Sequence, residues 1–471
     1  MILLDRMHRL ARAGPAGWPR AWSPEQTASF QNTPYHPSLV PLLVDRAEVA
    51  AMTPVIETYL RALDATVRRY LSDPAMRAWF GLDPAAEALI CAEGEGRARV
   101  EVCRLDGYLA DGRLWVLENN ADAPAGTLFT PRLNAYVAAA AGYRADPRLP
   151  MERSEDAFLD VLCPGRSSSR VRILQPAGRS NRESMEIAAA LRGRGVDAEV
   201  IDPRQLDAGA AQFCHEGRPV DVIWNKINTV GWRDIIAAAP ELVEPWCATL
   251  AAGGTRHLNG FAARYVAESK LCHAWLSSAD GRRQLAPDEQ RAVAALVPPT
   301  VRLGRQMDIP WLSDVAEASN AEPSNAGPSN AEPSNSGPSN AGPSNSGPSN
   351  AGVPQAGDLP GAVLDHQAGL VLKAPYDIRG DGVTVGRAVS PQDWAARLRE
   401  MLDSDGGVLQ RYLAPTEVPV VTDRTAVLRS SLDWFVFGGR VVGLGSKAGV
   451  GHKVNLFQGG TKLAVFQEDA S

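Results

Sequence analysis

Asp106, Glu118 and Asn120 are spaced so that a β-hairpin would gather them into one cluster of oxygen donors beside Arg104. Residues 103–126 read CRLDGYLADGRLWVLENNADAPAG, in which a run rich in Leu, Val and Trp passes straight into Glu118-Asn119-Asn120-Ala121-Asp122. Carboxylates and amides are costly to bury unless they are paired or coordinate something. Either the chain turns out into solvent at Glu118, or a cation sits there. Side chains alternate faces along a strand. A two-residue Asp111-Gly112 loop, for which Asp-Gly is a strong signal, would set Asp106 and Glu118 on opposite faces. A three-residue turn ending in Gly112, with a bulge, puts Arg104, Asp106, Glu118 and Asn120 on one face, and that is the expected geometry. Two carboxylates and an amide oxygen make a hard site suited to Mg²⁺, and the adjacent guanidinium suits a phosphate. A solvated hairpin end carrying ordinary surface charge is the other reading of the same residues.

Other elements must hold this hairpin. Val171–Gln175 and Ala198–Ile201 are short apolar runs flanking a helical pattern over Glu183–Arg192, with Gly193 and Gly195 as stop signals. With a further strand in VDVIWNKIN (220–228), they predict a parallel α/β unit. The turn PAGRSNRES has no G-x-G-x-x-G, so dinucleotide binding has little support. ESKLCHAWLSS (268–278) reads as a helix opening, and LVLKAPYDIRGDGVTVGRAVS (370–390) as two strands joined by a Gly-rich turn. Strands follow in GGVLQRYLAP (406–415) and in RSSLDWFVFGGRVVGLGSKAG (429–449), the latter a hairpin about Gly438-Gly439. Ser319–Gly352 repeats a Ser-Asn-Pro-rich pentapeptide with nothing to bury, and it is expected to be a disordered insertion in a surface loop.

The totals narrow the class. The chain has 471 residues, 45% hydrophobic and 22% charged, enough for two or three soluble domains. A net charge of −6 and a pI near 5.8 give no sign of a nucleic-acid or anionic-membrane surface. No apolar run is long enough to span a bilayer, and the N-terminus does not read as a secretory signal. Six scattered cysteines without a C-x-x-C pair argue against zinc and against a disulfide framework, and most are expected to be small core residues in a reducing cytoplasm. The seven histidines show no metal-ligand spacing.

RLD followed by ENNADAP, with Asp106 and Glu118 twelve positions apart, resembles the R-x-D…E-x-N-A-D-x-P signature of glutathionylspermidine synthases, through Arg104, Asp106, Glu118, Asn120, Asp122 and Pro124. Those enzymes are ATP-grasp ligases of circularly permuted chain order. Three further segments resemble the family in its order: ESKLCHAWLSS with Lys270, VLKAPYDIRGDGV with Lys373, and VLQRYLAP with the adenine-side hinge around Gln410–Leu413. Departures are Lys373-Ala374-Pro375 where the family has Lys-Pro, an Arg-Glu-Gly loop reduced to Ile378-Arg379-Gly380, and no amidase domain.

The resemblance implies an α/β (α+β) ATP-grasp fold, permuted, with a Rossmann-like α/β subdomain inserted in the chain. The expected divisions are an N-terminal arm over 1–55, a metal-bearing part over 56–155, a substrate-side α/β domain over 156–265, and a lid and nucleotide part over 266–471 that contains the 319–352 repeat. It implies Mg²⁺ on Asp106, Glu118 and Asn120, with Arg104 and Lys270 at the transferred phosphate. ATP would meet Lys270, Lys373, Gly380, Gly382, Gln410, Tyr412 and Leu413. The residues themselves add that Gly380 and Gly382 let backbone N–H groups approach phosphate oxygens, and that Lys373 adds a point charge. The expected activity is ATP- and Mg²⁺-dependent joining of a small carboxylate to an amine. The rivals are a nucleotide-binding protein without ligase activity and a small-molecule phosphotransferase. Asp433 and Asn455 are weaker candidates for phosphate contacts. Arg179, Ser180, Asn181, Asn225, Lys226 and Asn228 are candidate readers of a polar substrate.

Overall fold

The computed structural model describes residues 1–13, 37–141, 154–165, 169–179, 181–209, 211–305, 307–315, 359–377, 380–404, 406–422, 425–456 and 460–470. The Ser319–Gly352 repeat lies outside them, as do Ser180, Ile378 and Arg379.

The hairpin forms from strands Val102–Ala110 and Arg113–Asn120. Its turn differs from the expected one. It is a two-residue Asp111-Gly112 loop with both residues at positive φ (53° and 70°), the left-handed pair that suits the twist of the flanking strands. The bulge lies further along. Gly107 pairs with Val116 and Asp106 with Glu118, so Leu117 is an extra residue in the second strand. A regular ladder from that turn would have sent Glu118 to the far face; the extra residue brings it back opposite Asp106. Gly107 is required there, because a Cβ would stand 2.8 Å from Leu432 O and 3.1 Å from Trp115 O.

The hairpin is one edge of a seven-stranded antiparallel sheet. The order runs Arg113–Asn120, Val102–Ala110, Asp433–Phe437, Arg440–Gly449, Thr425–Ser430, Glu417–Val421, and Thr461–Leu463 also pairs with Arg440–Gly449. Gly438 and Gly439, both at positive φ, turn the expected hairpin between the third and fourth of these. Facing this sheet is a four-stranded antiparallel one in the order Thr300–Arg302, Val408–Arg411, Leu370–Lys373, Val383–Val385. The expected parallel unit is present as strands Asp197–Ile201, Arg170–Leu174, Val222–Asn225 and Arg256–Leu258. The helix Arg182–Gly193 packs on it.

Behind the hairpin runs the helix Arg46–Ser72. Asp45 caps its start by accepting from Ala47 N at 2.8 Å. Its buried residues Ile56, Tyr59, Leu60, Leu63, Val67 and Tyr70 recur at three- and four-residue steps and face the main core. Among the described residues no single helix is long and apolar enough to cross a membrane. Cys103, Cys163 and Cys272 are buried, while Cys91 is exposed and Cys214 and Cys247 are half-buried; all six are free thiols.

Candidate active site

The two antiparallel sheets face each other across a cleft of about 320 Å³. One wall is polar and belongs to the large sheet. Arg104, Asp106, Glu118 and Asn120 share this wall, as the sequence predicted, with Tyr108, Asp433, Phe435, Lys447 and Lys462. The other wall comes from the smaller sheet and is apolar at one end, where Val371, Val385, Tyr412 and Leu413 meet, with Lys373 and Gln410 beside them. Residues 452–456 close one side.

Asp106 sits at the centre of the polar wall. Its Oδ1 accepts from Arg104 Nε at 2.6 Å and from Asn120 Nδ2 at 2.9 Å; its Oδ2 accepts from Arg104 Nη2 at 3.1 Å and Lys447 Nζ at 2.6 Å. Burial pushes the carboxyl up, but Arg104 and Lys447 outweigh it and hold Asp106 well below the usual carboxylate range. Lys447 also pairs with Asp433 Oδ2 at 3.2 Å. Burial disfavours the Lys447 ammonium, yet Asp106 and Asp433 raise its pKa. Asp433 itself is pushed up by burial and by the Asp106 charge, and its Oδ1 is buried with no hydrogen-bond partner.

Glu118 faces Lys270 Nζ at 3.3 Å, and the same ammonium lies 3.2 Å from Asp377 Oδ1. Lys270 opens the helix Lys270–Ser277, capped by Ser269 and fastened to the smaller sheet by Lys270 N donating to Pro375 O at 3.0 Å. It stands behind the cleft wall, buried and charged; burial opposes the charge, but Glu118 and Asp377 raise its pKa. Lys373 Nζ donates to Leu117 O, the bulge carbonyl, at 3.0 Å. Burial, with Lys270 adding to it against Glu118, brings Lys373 down to about 8. Gly380 (φ +74°) lines the cleft, and its carbonyl accepts from Lys453 Nζ at 3.2 Å. Gly382 does not line it. Its N–H donates to Asp377 Oδ2 at 2.9 Å, so this amide anchors the loop instead of facing a ligand. The Gln410 side chain turns to Thr300 Oγ1 at 3.0 Å. Tyr412 receives Arg387 over its ring, and its hydroxyl meets His452 Nδ1 at 3.0 Å.

Several polar residues of the opening motif fasten the hairpin. Asn119 is buried on the opposite face, where Oδ1 accepts from Tyr59 OH at 2.9 Å and Nδ2 donates to Ala267 O at 3.1 Å. Asp122 Oδ2 accepts from Thr229 N, and Glu268 Oε2 from Asp122 N and Ala121 N. Lys226 is no substrate reader. It is buried, paired with Glu183 at 3.0 Å, and donates to the carbonyls of Ala123 and Pro124. Asn225 is likewise internal, accepting from Trp232 Nε1 at 2.8 Å. Asn181 and Asn228 cap helices, and of the two Asn228 lines the cleft. Arg179 does not line it.

Sequence reading missed Lys447 and Lys462. Lys447 shares a face with Asp433 two strands from Asp106, a relation visible only once the sheet order is known. Lys462 pairs with Lys447 on the neighbouring strand. It is buried, its ammonium reaches Thr130 Oγ1 at 3.5 Å, and burial together with Arg104 and Lys447 lowers it to about 8.

Among the described residues no three His, Cys, Asp or Glu side chains converge to hold a metal ion by themselves. The donors present are nevertheless of one chemical kind. Asn120 turns its amide nitrogen to Asp106 and to Arg104 O, so its carbonyl oxygen is the atom it can offer, next to the Glu118 carboxylate. An all-oxygen set with one or two carboxylates fits Mg²⁺ when phosphate oxygens complete the shell.

No protein-family model matches the chain, and no curated protein does. Among solved structures it resembles a glutathione synthetase-like effector from Globodera pallida in its apo form, at 12% identity and a TM-score of 0.51, over 92% of this chain and 90% of that one. It also aligns with a protein described as a γ-glutamylcysteine synthetase from Methylobacillus flagellatus (12% identity, TM-score 0.35, 84% and 85% of the two chains). A third is a RimK-domain ATP-grasp protein from Sphaerobacter thermophilus (16%, TM-score 0.27, 59% and 90%). The last two superpose too loosely to bear on the assignment. What the first establishes is the fold alone: the mixed α/β arrangement of that effector, shared along nine-tenths of the chain.

Proposed function

We propose that the chain is an ATP- and Mg²⁺-dependent carboxylate–amine ligase, a permuted ATP-grasp enzyme that releases ADP. The observation that carries this reading is the single cleft in which the acids of the 102–120 hairpin meet Lys373 and the apolar slot of the smaller sheet. The chain order supports the permutation, since the hairpin precedes the Lys373 strand by some 250 residues. The adenine would enter between Val371, Val385 and the Gln410–Leu413 segment, with Lys373 and the loop at Gly380 along the phosphates. Residues 156–265 would form the substrate-side subdomain.

In the reaction a substrate carboxylate oxygen attacks the γ-phosphorus, the bond to ADP breaks, and an acyl phosphate forms. The amine then attacks the acyl carbon, gives up a proton, and inorganic phosphate leaves as the amide forms. Arg104, fixed in orientation by two hydrogen bonds to Asp106, would steady the transferring phosphoryl group, and Lys270 would offset charge from behind Glu118. Asp106, Glu118 and Asn120 would hold Mg²⁺, which when bound neutralises phosphate charge. Arg104 and Lys447 hold Asp106 in its ionised form, as such a role requires.

The test is ADP release from the purified chain with matrices of carboxylates and amines, the product identified by mass spectrometry. An amide formed only when both partners are present supports the ligase. A phosphorylated acceptor would make the chain a phosphotransferase, and ATP binding without turnover would make it a nucleotide-binding protein.

A further inference from the structure

Two buried groups of opposite charge share the polar wall without meeting. Asp433 Oδ1 is buried and has no hydrogen-bond partner, although its other oxygen pairs with Lys447. On the same wall Lys462, from strand Thr461–Leu463, is also buried, and among the described residues its ammonium makes one long contact, to Thr130 Oγ1 at 3.5 Å. Each is close enough to shift the ionisation of the other, yet no ion pair joins them. Both line the cleft. The wall near Lys462 is kept low: a Cβ on Gly126 (φ +89°) would come within 3.4 Å of Lys462 Nζ. Buried polar atoms ordinarily have partners, and an orphaned pair of opposite sign fits a ligand that carries both signs.

We infer that one substrate of this cleft is a free α-amino acid, its carboxylate held by Lys462 and its ammonium by Asp433. This rests on the ligase reading and narrows it. A polyamine would set its cations against Arg104, Lys447 and Lys462; a simple carboxylic acid would leave Asp433 Oδ1 without a partner. An amino acid carries both charged groups on one carbon and answers both.

The experiment uses the full chain with ATP and Mg²⁺. Thermal shift and ADP release are measured with free amino acids, their N-acetyl and amide derivatives, and spermidine. We expect at least one free amino acid to raise the melting temperature by mass action and to support ADP release with a second substrate, while its N-acetyl and amide forms do neither. Lys462→Met and Asp433→Asn should each raise the KM for that amino acid tenfold or more, while ATP still raises the melting temperature of both variants, which shows that they are folded. Binding by spermidine or by N-acetyl forms alone, or amino-acid KM values unchanged in both variants, would overturn the inference. Amino-acid binding that depends on both residues but releases no ADP under any pairing would refute the ligase reading and leave the dipolar pocket standing.

Discussion

Glu118 and Asn119 are neighbours in sequence and opposites in role. Glu118 points into the cleft against Lys270, whereas Asn119 is locked between Tyr59 and Ala267. Replacing Glu118 by Gln should leave the melting temperature close to that of the parent and lower ADP release by orders of magnitude, with part recovered at high Mg²⁺ or Mn²⁺. Replacing Asn119 by Ala should leave the metal dependence alone and cost about 1–3 kcal/mol of stability, because Tyr59 OH and Ala267 O lose a buried partner. Denaturation curves and metal titrations of the two variants separate these outcomes; identical behaviour would mean that Glu118 is ordinary surface. Lys373 offers a test with two signs. Its ammonium is held near 8 against an ordinary 10.5, so above about pH 8 the native state loses this proton before the unfolded chain does. The unfolded state then binds more protons, and the group favours folding increasingly as pH rises from about 8 to 10.5. Over the same range kcat/KM for ATP should fall about tenfold per pH unit as the charge is lost. Lys373→Ala should raise the KM for ATP and abolish both trends, whereas general alkaline unfolding would lower activity and stability together.

At the scale of elements, the site depends on one irregularity. The Leu117 bulge turns Glu118 and Asn120 into the cleft and presents its own carbonyl to Lys373. Gly107, opposite the irregularity, lets the strand approach Leu432, whose N–H it holds through its carbonyl at 2.8 Å. Gly107→Ala should therefore destabilise by about 1–3 kcal/mol, as overpacked sites do, and should loosen Asp106 with it. Urea titration and ADP release at saturating substrate would show the two losses together, and a stable, fully active variant would refute the register. These elements also show what the sequence reveals. Period-two alternation and the run of apolar residues were enough to find the hairpin; Arg104, Asp106, Glu118 and Asn120 were grouped through a three-residue turn that the structure lacks, and it is the Leu117 bulge that brings them to one face. The helix at Lys270 was legible as a helix opening in ESKLCHAWLSS, and the parallel strands from their apolar runs. The bulge was not legible in its true place, because Asp-Gly sets the turn locally while the extra residue is set by packing against Leu432. Lys447 and Lys462 were hidden for a related reason: strand order is a tertiary property, and a lysine in a Gly-rich strand carries no local sign of its neighbours. Lys226 misled in the opposite direction, since a buried ammonium on carbonyl oxygens looks, in sequence, like an exposed one.

At the scale of the whole molecule, removing Ser319–Gly352 should leave the melting temperature within about a degree and ATP turnover intact, because a segment with no large apolar side chain adds little to a core and loop length costs little. A drop of several degrees in calorimetry would show that the repeat packs somewhere. The large sheet has a further consequence, for biosynthesis. Its strands come from residues 102–120 and 417–463, and the strand Leu42–Asp45 pairs in parallel with Val465–Glu468. During translation the acidic hairpin leaves the ribosome some 300 residues before the strand Asp433–Phe437 exists to cover its edge and Lys447 to add its charge to that of Arg104 beside Asp106. The emerging chain must therefore carry, for most of its synthesis, an unpaired strand edge bearing the charged pair Arg104–Asp106 beside Glu118, a state that the charges themselves keep from pairing with other chains. The acids that serve the mature cleft would in this way first act as guards of the nascent one.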